Sequence, residues 1–222
     1  MAQNVGAMKE SIPRPRIQTL SDMIFGLALS IGAVSQLTQE PGSIVAITYS
    51  LLSFGFAFLI LAVVWFRYSK VMSVLPVEST KVVAANMVLL FLVSAEPYLY
   101  NLMTISSPLP STGQLDSAIT TALYALDLGA LMIILAFFTY ELTLEDRHLI
   151  PRELMKAYRL TMYSTFIAAV IFIISALPIF WNIVIISSPH VPLRYFMWSG
   201  VFVANMGRRL DISMTKRRAT AK

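Results

Sequence analysis

The chain has 222 residues, of which 57% are hydrophobic and 13% are charged, and its mean hydropathy is +0.70. A soluble domain has about 45–50% apolar and about 25% charged residues, so this composition excludes an ordinary soluble globular protein. The formal net charge is +5, and the lack of cysteine excludes disulfide scaffolds, iron–sulfur clusters and cysteine nucleophiles. We therefore expect a polytopic membrane protein.

Stretches that are nearly free of charged residues locate the membrane spans, because a spanning helix needs about 20 predominantly apolar residues. Six spans are predicted, in chain order, at residues 17–37, 44–66, 82–105, 117–140, 160–186 and 193–206. The long fifth span is expected to kink near Pro178, since proline cannot continue the hydrogen-bond ladder of a helix. Ser187–Pro192 holds two prolines and small polar residues, which predict a turn before the short sixth span. The expected fold is all-α.

The basic residues test the number of spans, because lysine and arginine collect in cytoplasmic loops. With six spans, every Lys and Arg except Arg194 falls on one side of the membrane. Both termini are therefore predicted to be cytoplasmic, in a multi-pass protein of the cell membrane. The same sorting and the attraction to anionic lipids account for the positive net charge without nucleic acid. We divide the chain into a cytoplasmic segment (1–15), a six-helix transmembrane domain (16–209) and a basic cytoplasmic tail (210–222).

Three carboxylates are predicted at membrane depth, where each charge costs about 2.5–3.5 kcal/mol on insertion scales. Asp22 follows Arg16 by six residues, so the two lie on different helix faces and each needs a partner on another helix or subunit. Glu96 is expected to face the external water. Asp127, beside Gly129, is expected to hydrogen-bond between helices. None of the three belongs to a hydrolase or metal-binding motif, so we do not expect an enzyme.

An aliphatic stripe runs along the first span. Leu20, Leu27, Ile31 and Val34 recur at helical spacing, and Ser30 adjoins them. Small residues occupy other positions of the same helix, where they would allow a neighbouring helix to approach closely. The spacing alone leaves two interpretations open: a stripe that faces lipid or the core of the chain, and a stripe that faces partners.

The start of the first span reads R-x-x-x-[FL]-S-D, with Arg16, Leu20, Ser21 and Asp22 at the defined positions. This pattern resembles the hallmark of the transmembrane-protein-175 family, the endosomal and lysosomal potassium channels and their prokaryotic relatives. Other residues that agree with the family are in the second and third spans: Phe54, Trp65, Asn86, Leu89–Phe91 and Pro97.

The resemblance implies a potassium-preferring cation channel in which the first helices of a homotetramer line the pore. Counted from Asp22, it places the hydrophobic constriction at Leu27. It places Ser30 in contact with the ion, one turn further along, and Ile31 and Val34 in the continued lining. No cofactor is implied apart from the permeant potassium ion, and the implied partners are other copies of the chain, membrane lipids and monovalent cations.

The resemblance also implies an interhelical network of Arg16, Ser21, Asp22 and Trp65. The second span departs from the family here, because relatives often carry a histidine shortly after the tryptophan, whereas Tyr68 is found in this chain. The wiring of the network is therefore expected to differ from that of relatives.

The sequence holds no T-V-G-Y-G segment of the kind that forms carbonyl filters, so selectivity would have to come from the helix-lined pore. A rival interpretation is a proton- or cation-coupled transporter that uses Asp127, Asp22 and Glu96 as titrating groups. The lack of inverted halves and of paired broken helices speaks against it. A membrane scaffold without transport activity is a third interpretation.

Overall fold

The computed structural model describes residues 14–37, 44–75, 79–105, 113–144, 149–186 and 191–201. Within this part of the chain, five helices are long and apolar enough to cross a membrane. They are α1 (Arg14–Leu37), α2 (Ile44–Met72), α3 (Thr80–Ile105), α4 (Gly113–Leu142) and α5 (Arg152–Ser175). The first four predicted spans correspond to α1–α4, and the observed helices extend past them by a few residues at most ends.

The prediction for the fifth span was wrong at its C-terminal end. The helix does not continue through a kink at Pro178 but ends at Ser175, and a short helix α6 (Ile179–Asn182) follows. Proline has no amide hydrogen, so the carbonyl of Ile174 accepts instead from the amide of Leu177, at 3.0 Å. This tighter bond closes the helix and turns the chain.

A small sheet follows α6 and is an exception to the all-α expectation. Strands β1 (Val184–Ile186) and β2 (Val191–Pro192) pair antiparallel, and the predicted turn between them falls largely outside the described residues. The chain is helical again over residues 193–201. The predicted sixth span, 193–206, therefore lies only partly within the described residues and stays a prediction.

Helix α4 is the centre of the bundle, packed mainly against α5 and α3, while α1 packs against α3 and α2. Gly129 allows the close approach of α4 to α5. A Cβ atom on Gly129 would lie 2.7 Å from Cγ1 of Ile173 and 3.4 Å from the carbonyl oxygen of Ala169. A larger residue at this position would therefore require the Ile173 side chain or the two helices to shift.

The buried side chain of Arg194 joins the end of α5 to the start of α4. Its Nε donates to the carbonyl of Ser175 at 2.6 Å, and Nη1 donates to Oγ1 of Thr121 at 2.9 Å. Nη2 donates to the carbonyls of Ala176 and Leu177, each at 3.3 Å. The last carbonyls of a helix lack intrahelical donors and carry partial negative charge, so they are suitable partners for a buried guanidinium.

The contacts between helices define two ends of the bundle. The start of α1 lies beside the end of α2, and the start of α4 lies beside the end of α5. The starts of α3 and α5 and the ends of α2 and α4 are therefore at one end, which we call the basic end. It carries the exposed cations Lys70, Lys81, Arg152, Lys156 and Arg159. Arg194 lies at the opposite end, where its burial explains why it departs from the charge sorting.

Candidate functional site: the exposed face of the first helix

Helix α1 buries one face and exposes the other. Ser21, Phe25 and Ala28 are buried. The opposite face carries large apolar side chains that are between 44% and 68% exposed: Leu20, Met23, Leu27, Ile31 and Val34. We call these five residues the α1 stripe. Four of them form the stripe that the spacing predicts, and Met23 joins it, so within one chain the stripe is not part of the core.

Ser30 lies beside the α1 stripe and is exposed. Its Oγ donates to the carbonyl of Gly26, 2.8 Å away in the preceding turn. A hydroxyl has one hydrogen and two lone pairs, so this bond uses the hydrogen and leaves oxygen lone pairs available. A cation is attracted to such lone pairs, which makes Ser30 chemically suited to contact one.

The side of α1 away from the stripe approaches α2 and α3 closely. A Cβ atom on Gly32 would lie 3.8 Å from Cε2 of Phe54 and 3.9 Å from Cβ of Pro97, which are ordinary contacts. Leu29 packs against the core and lines a small, mostly apolar cavity between these three helices. Leu27 and Leu29 are thus only two residues apart, yet Leu27 is exposed and Leu29 packs against the core.

Two hydrogen bonds join the S-D motif of α1 to α2. Trp65 donates from Nε1 to Oδ1 of Asp22 at 2.8 Å. Oγ of Ser21 lies 2.6 Å from the hydroxyl of Tyr68, and it donates its own hydrogen to the carbonyl of Ile17 at 2.8 Å. Since Ser21 has only one hydrogen, Tyr68 must be the donor in the first of these contacts. The structure thus brings Ser21, Asp22 and Trp65 together, while the Arg16 side chain lies outside the described side chains.

Tyr68 is the member of this network to which sequence reasoning assigned no role. It is fully buried beside Asn86, and its ring centroid lies 5.6 Å from that of Phe25 and 6.4 Å from that of Phe138. Its spacing of three residues from Trp65 places both on one face of α2. That spacing, read together with the adjacent polar pair in α1, is the signal that could have found it.

The carboxylates further along the chain lie elsewhere. Glu96 is fully buried and accepts a hydrogen bond on Oε1 from the hydroxyl of Tyr124 at 2.9 Å, so the expectation that it faces external water was wrong. Asp127 lies close enough to interact electrostatically with Glu96. Oε2 of Glu96 and both carboxylate oxygens of Asp127 have no hydrogen-bond partner in the described part of the chain. Asp22 is bonded to Trp65 instead, so the three acidic residues do not form one cluster.

We expect Tyr68→Phe to lower the stability of the purified protein by about 0.5–1.5 kcal/mol, because it keeps the packed ring and removes the hydroxyl that donates to Ser21. Tyr98→Phe is a matched control, since Tyr98 is 64% exposed. Thermal unfolding in detergent measures both variants. Equal midpoints for both variants and the unsubstituted protein would show that the Ser21–Tyr68 bond contributes nothing to stability.

Comparison with known proteins bears on these same helices. Residues 16–97 match the sequence profile of a family described as the endosomal/lysosomal potassium channel TMEM175. No curated protein matches the chain. The fold is similar to the crystal structure of a lysosomal potassium-selective channel TMEM175 homolog from Chamaesiphon minutus. The TM-score is 0.52 at 19% sequence identity, and the match covers 73% of this chain and 88% of that one.

The match in sequence begins at Arg16 and ends at Pro97, so it includes the α1 stripe and the Ser21–Tyr68 and Asp22–Trp65 contacts. The match in structure extends the likeness to most of the chain, as a likeness of fold. The resemblance inferred from the S-D motif is therefore confirmed: the chain is similar to the TMEM175 family in sequence from α1 to the middle of α3, and in fold over most of its length.

Proposed function

We propose that the chain is a potassium-preferring cation channel of the cell membrane, in which the α1 stripes of four copies line a central pore. The observation that carries the proposal is the outward position of the α1 stripe on the helix that bears the family motif. One helix face cannot enclose a path for ions, so several copies must contribute. A closed rotational ring is the usual way in which identical chains assemble.

Leu27 is proposed as the hydrophobic constriction. It is 59% exposed near the middle of α1, and no side chain of the same helix face is charged between Leu27 and Val34. A ring of leucine side chains repels water when it is narrow, and a dry constriction stops ions without any moving plug. Ile31 and Val34 would extend this apolar lining toward the end of α1.

Potassium preference would come from the cost of dehydration. Potassium holds its water less tightly than sodium, so an apolar ring that strips part of the hydration shell favours potassium. Ser30 lies next to the ring and offers oxygen lone pairs to a partly dehydrated ion. The expected selectivity is modest, because hydroxyl oxygens at one level replace only part of a hydration shell.

The Ser21–Tyr68 and Asp22–Trp65 bonds would then have a positioning role. They fix the rotation of α1, and therefore the direction in which the α1 stripe points. The Asp22 carboxylate binds the Trp65 indole and is therefore not free to contact ions.

The sorting of the basic residues supports a cytoplasmic location for both chain termini. We therefore propose that the S-D motif lies at the cytoplasmic end of the pore.

A coupled transporter is the second candidate, supported by three carboxylate oxygens of Glu96 and Asp127 that have no partner among the described residues. Substitution of both residues by their amides separates the two functions. A transporter that moves protons through these groups loses its flux in Glu96→Gln and Asp127→Asn, whereas a channel lined by α1 keeps its current. Asp22 is not part of this pair, so a transporter would have two titrating carboxylates there and not the three that the sequence suggests.

Native mass spectrometry in mild detergent is expected to give the mass of four chains, since the proposed pore needs a closed ring of α1 helices. The chain mass of 24.7 kDa separates the possible assemblies clearly. A monomer or a dimer under conditions that preserve activity would exclude a central pore lined by four copies.

Leu27→Ala is expected to raise conductance and to lower the preference for potassium, because a wider ring admits water. Leu27→Asn places an ion-solvating group at the same level and should act more strongly. If the constriction contributes about 1.4 kcal/mol to the barrier, its removal increases the current roughly tenfold. Planar-bilayer recording with potassium and sodium on opposite sides measures conductance and ion preference together.

Leu29→Ala is the matched control, because Leu29 lies on the same helix but packs against the hydrophobic core of the chain. It should reduce thermal stability and leave ion preference unchanged in the channels that assemble. If Leu27→Asn leaves both conductance and ion preference as they were, Leu27 does not line the narrow part of the pore.

A further inference from the structure

The first turns of α5 carry a row of cations on one face. Arg152, Lys156 and Arg159 are separated by four and three residues, which places them one above another on a helix, and all three are exposed. Glu153 is the one acidic residue in these turns of α5, and it lies about 100° around the helix from Arg152. The row is therefore cationic over its first two turns, with Glu153 on its flank.

The end of α2 contacts a different side of α5. Nζ of Lys70 lies 5.9 Å from the ring centroid of Tyr158. Deeper in the bundle, Nη1 of Arg67 donates to Oγ1 of Thr165 at 3.1 Å. Tyr158 and Thr165 lie about 100° and about 120° around the helix from Arg159, so the row of cations faces away from α2.

The same face of α5 becomes apolar further along. Tyr163, Phe166, Ile167 and Ile174 follow Arg152 by 11, 14, 15 and 22 residues, which keeps them within about 60° of it around the helix axis. They are 59%, 52%, 56% and 41% exposed, respectively. One exposed face of α5 therefore carries cations in its first two turns and apolar side chains from there to its end.

Helix α5 is long enough to cross the hydrocarbon core of a bilayer and to reach the headgroups of one leaflet. Its 24 residues are about 36 Å long at 1.5 Å per residue, whereas the hydrocarbon core of a bilayer is about 30 Å thick. With the apolar part of the face in hydrocarbon, the first turns reach the level of the phosphates. The long side chains of Arg152 and Lys156 can extend toward that level while their stems remain against apolar surface.

We propose that this face of α5 binds an anionic phospholipid. The headgroup phosphate would contact the row of Arg152, Lys156 and Arg159, and the acyl chains would lie along Tyr163, Phe166 and Ile167. The continuity of charge and apolar surface selects this ligand, because a soluble phosphate or a nucleic acid would use the cations and leave the apolar part uncovered. The inference does not depend on the pore, so its test is independent of the tests of the proposed channel.

The test is a titration of the delipidated full-length protein with phosphatidylglycerol or phosphatidylcholine, followed by native mass spectrometry. We expect phosphatidylglycerol to bind more tightly. Each cation near a membrane surface contributes enough to change affinity roughly fivefold, so Lys156→Gln and Arg152→Gln should each weaken phosphatidylglycerol binding by about that factor. Each substitution should weaken the binding of phosphatidylcholine less, because the choline cation offsets the charge of its phosphate.

Lys81→Gln is the matched control, because Lys81 is an exposed cation of the basic end on a different helix, α3. It should leave phosphatidylglycerol affinity unchanged. Equal loss in Lys81→Gln and Lys156→Gln would show diffuse attraction rather than a site on α5. Equal affinity for the two lipids would also overturn the proposal. The same holds if soluble glycerophosphate competes for the site as strongly as phosphatidylglycerol does.

Discussion

The rotation of α1 about its own axis is the constraint on which the rest of the structure depends. Two side-chain bonds set it, from Tyr68 to Ser21 and from Trp65 to Asp22, both between the start of α1 and the end of α2. Ser21 and Asp22 are adjacent, so they point about 100° apart and are held from two directions. With Ser21 turned inward, the α1 stripe has to face away from the bundle.

The inward face of α1 follows the same logic along its length. Ala28 is buried, and a Cβ atom on Gly32 would be in ordinary contact with Phe54 and Pro97, so small residues of α1 face the neighbouring helices. Gly26, by contrast, has no atom of another residue near its missing Cβ and lies on the exposed side. The small residues of α1 thus serve two purposes: close packing on one face, and a less crowded exposed surface on the other.

Three charged residues of the helices, Arg194, Glu96 and Asp127, are buried in protein. Arg194 is surrounded by carbonyls at the end of α5, and Glu96 by the hydroxyl of Tyr124. Such burial is costly unless polar groups surround the charge, which explains the dense hydrogen bonding of the guanidinium. Oε2 of Glu96 and both carboxylate oxygens of Asp127 are exceptions, since they have no hydrogen-bond partner in the described part of the chain.

The sequence predicts where the helices lie, but not which side chains contact each other between helices. The physical reason is that such contacts join residues that are far apart in the sequence. Apolar length and charge sorting are local properties, so α1–α4 were located with ends that differ from the observed ones by at most six residues. The end of α5 was missed because a proline can kink a helix or stop it. The bond between Glu96 and Tyr124 spans 28 residues, and no local pattern announces such a contact.

The candidate site was partly accessible to sequence reasoning for the same reason. The stripe is a helical repeat and could be read directly, whereas Tyr68 appeared only as a departure from relatives. Its function in the network depends on the register between α1 and α2, which a single helix does not encode. The partners of polar side chains thus emerge only when two helices are placed side by side.

Cysteine accessibility tests the central claim, that the α1 stripe lines the ion path. The chain contains no cysteine, so Leu27→Cys and Leu29→Cys each introduce one thiol into an otherwise inert background. Recordings in a planar bilayer would follow the current while a water-soluble cationic thiol reagent is added. The account predicts that the reagent blocks current through Leu27→Cys and leaves Leu29→Cys unchanged. Block of Leu29→Cys with no effect on Leu27→Cys would contradict it.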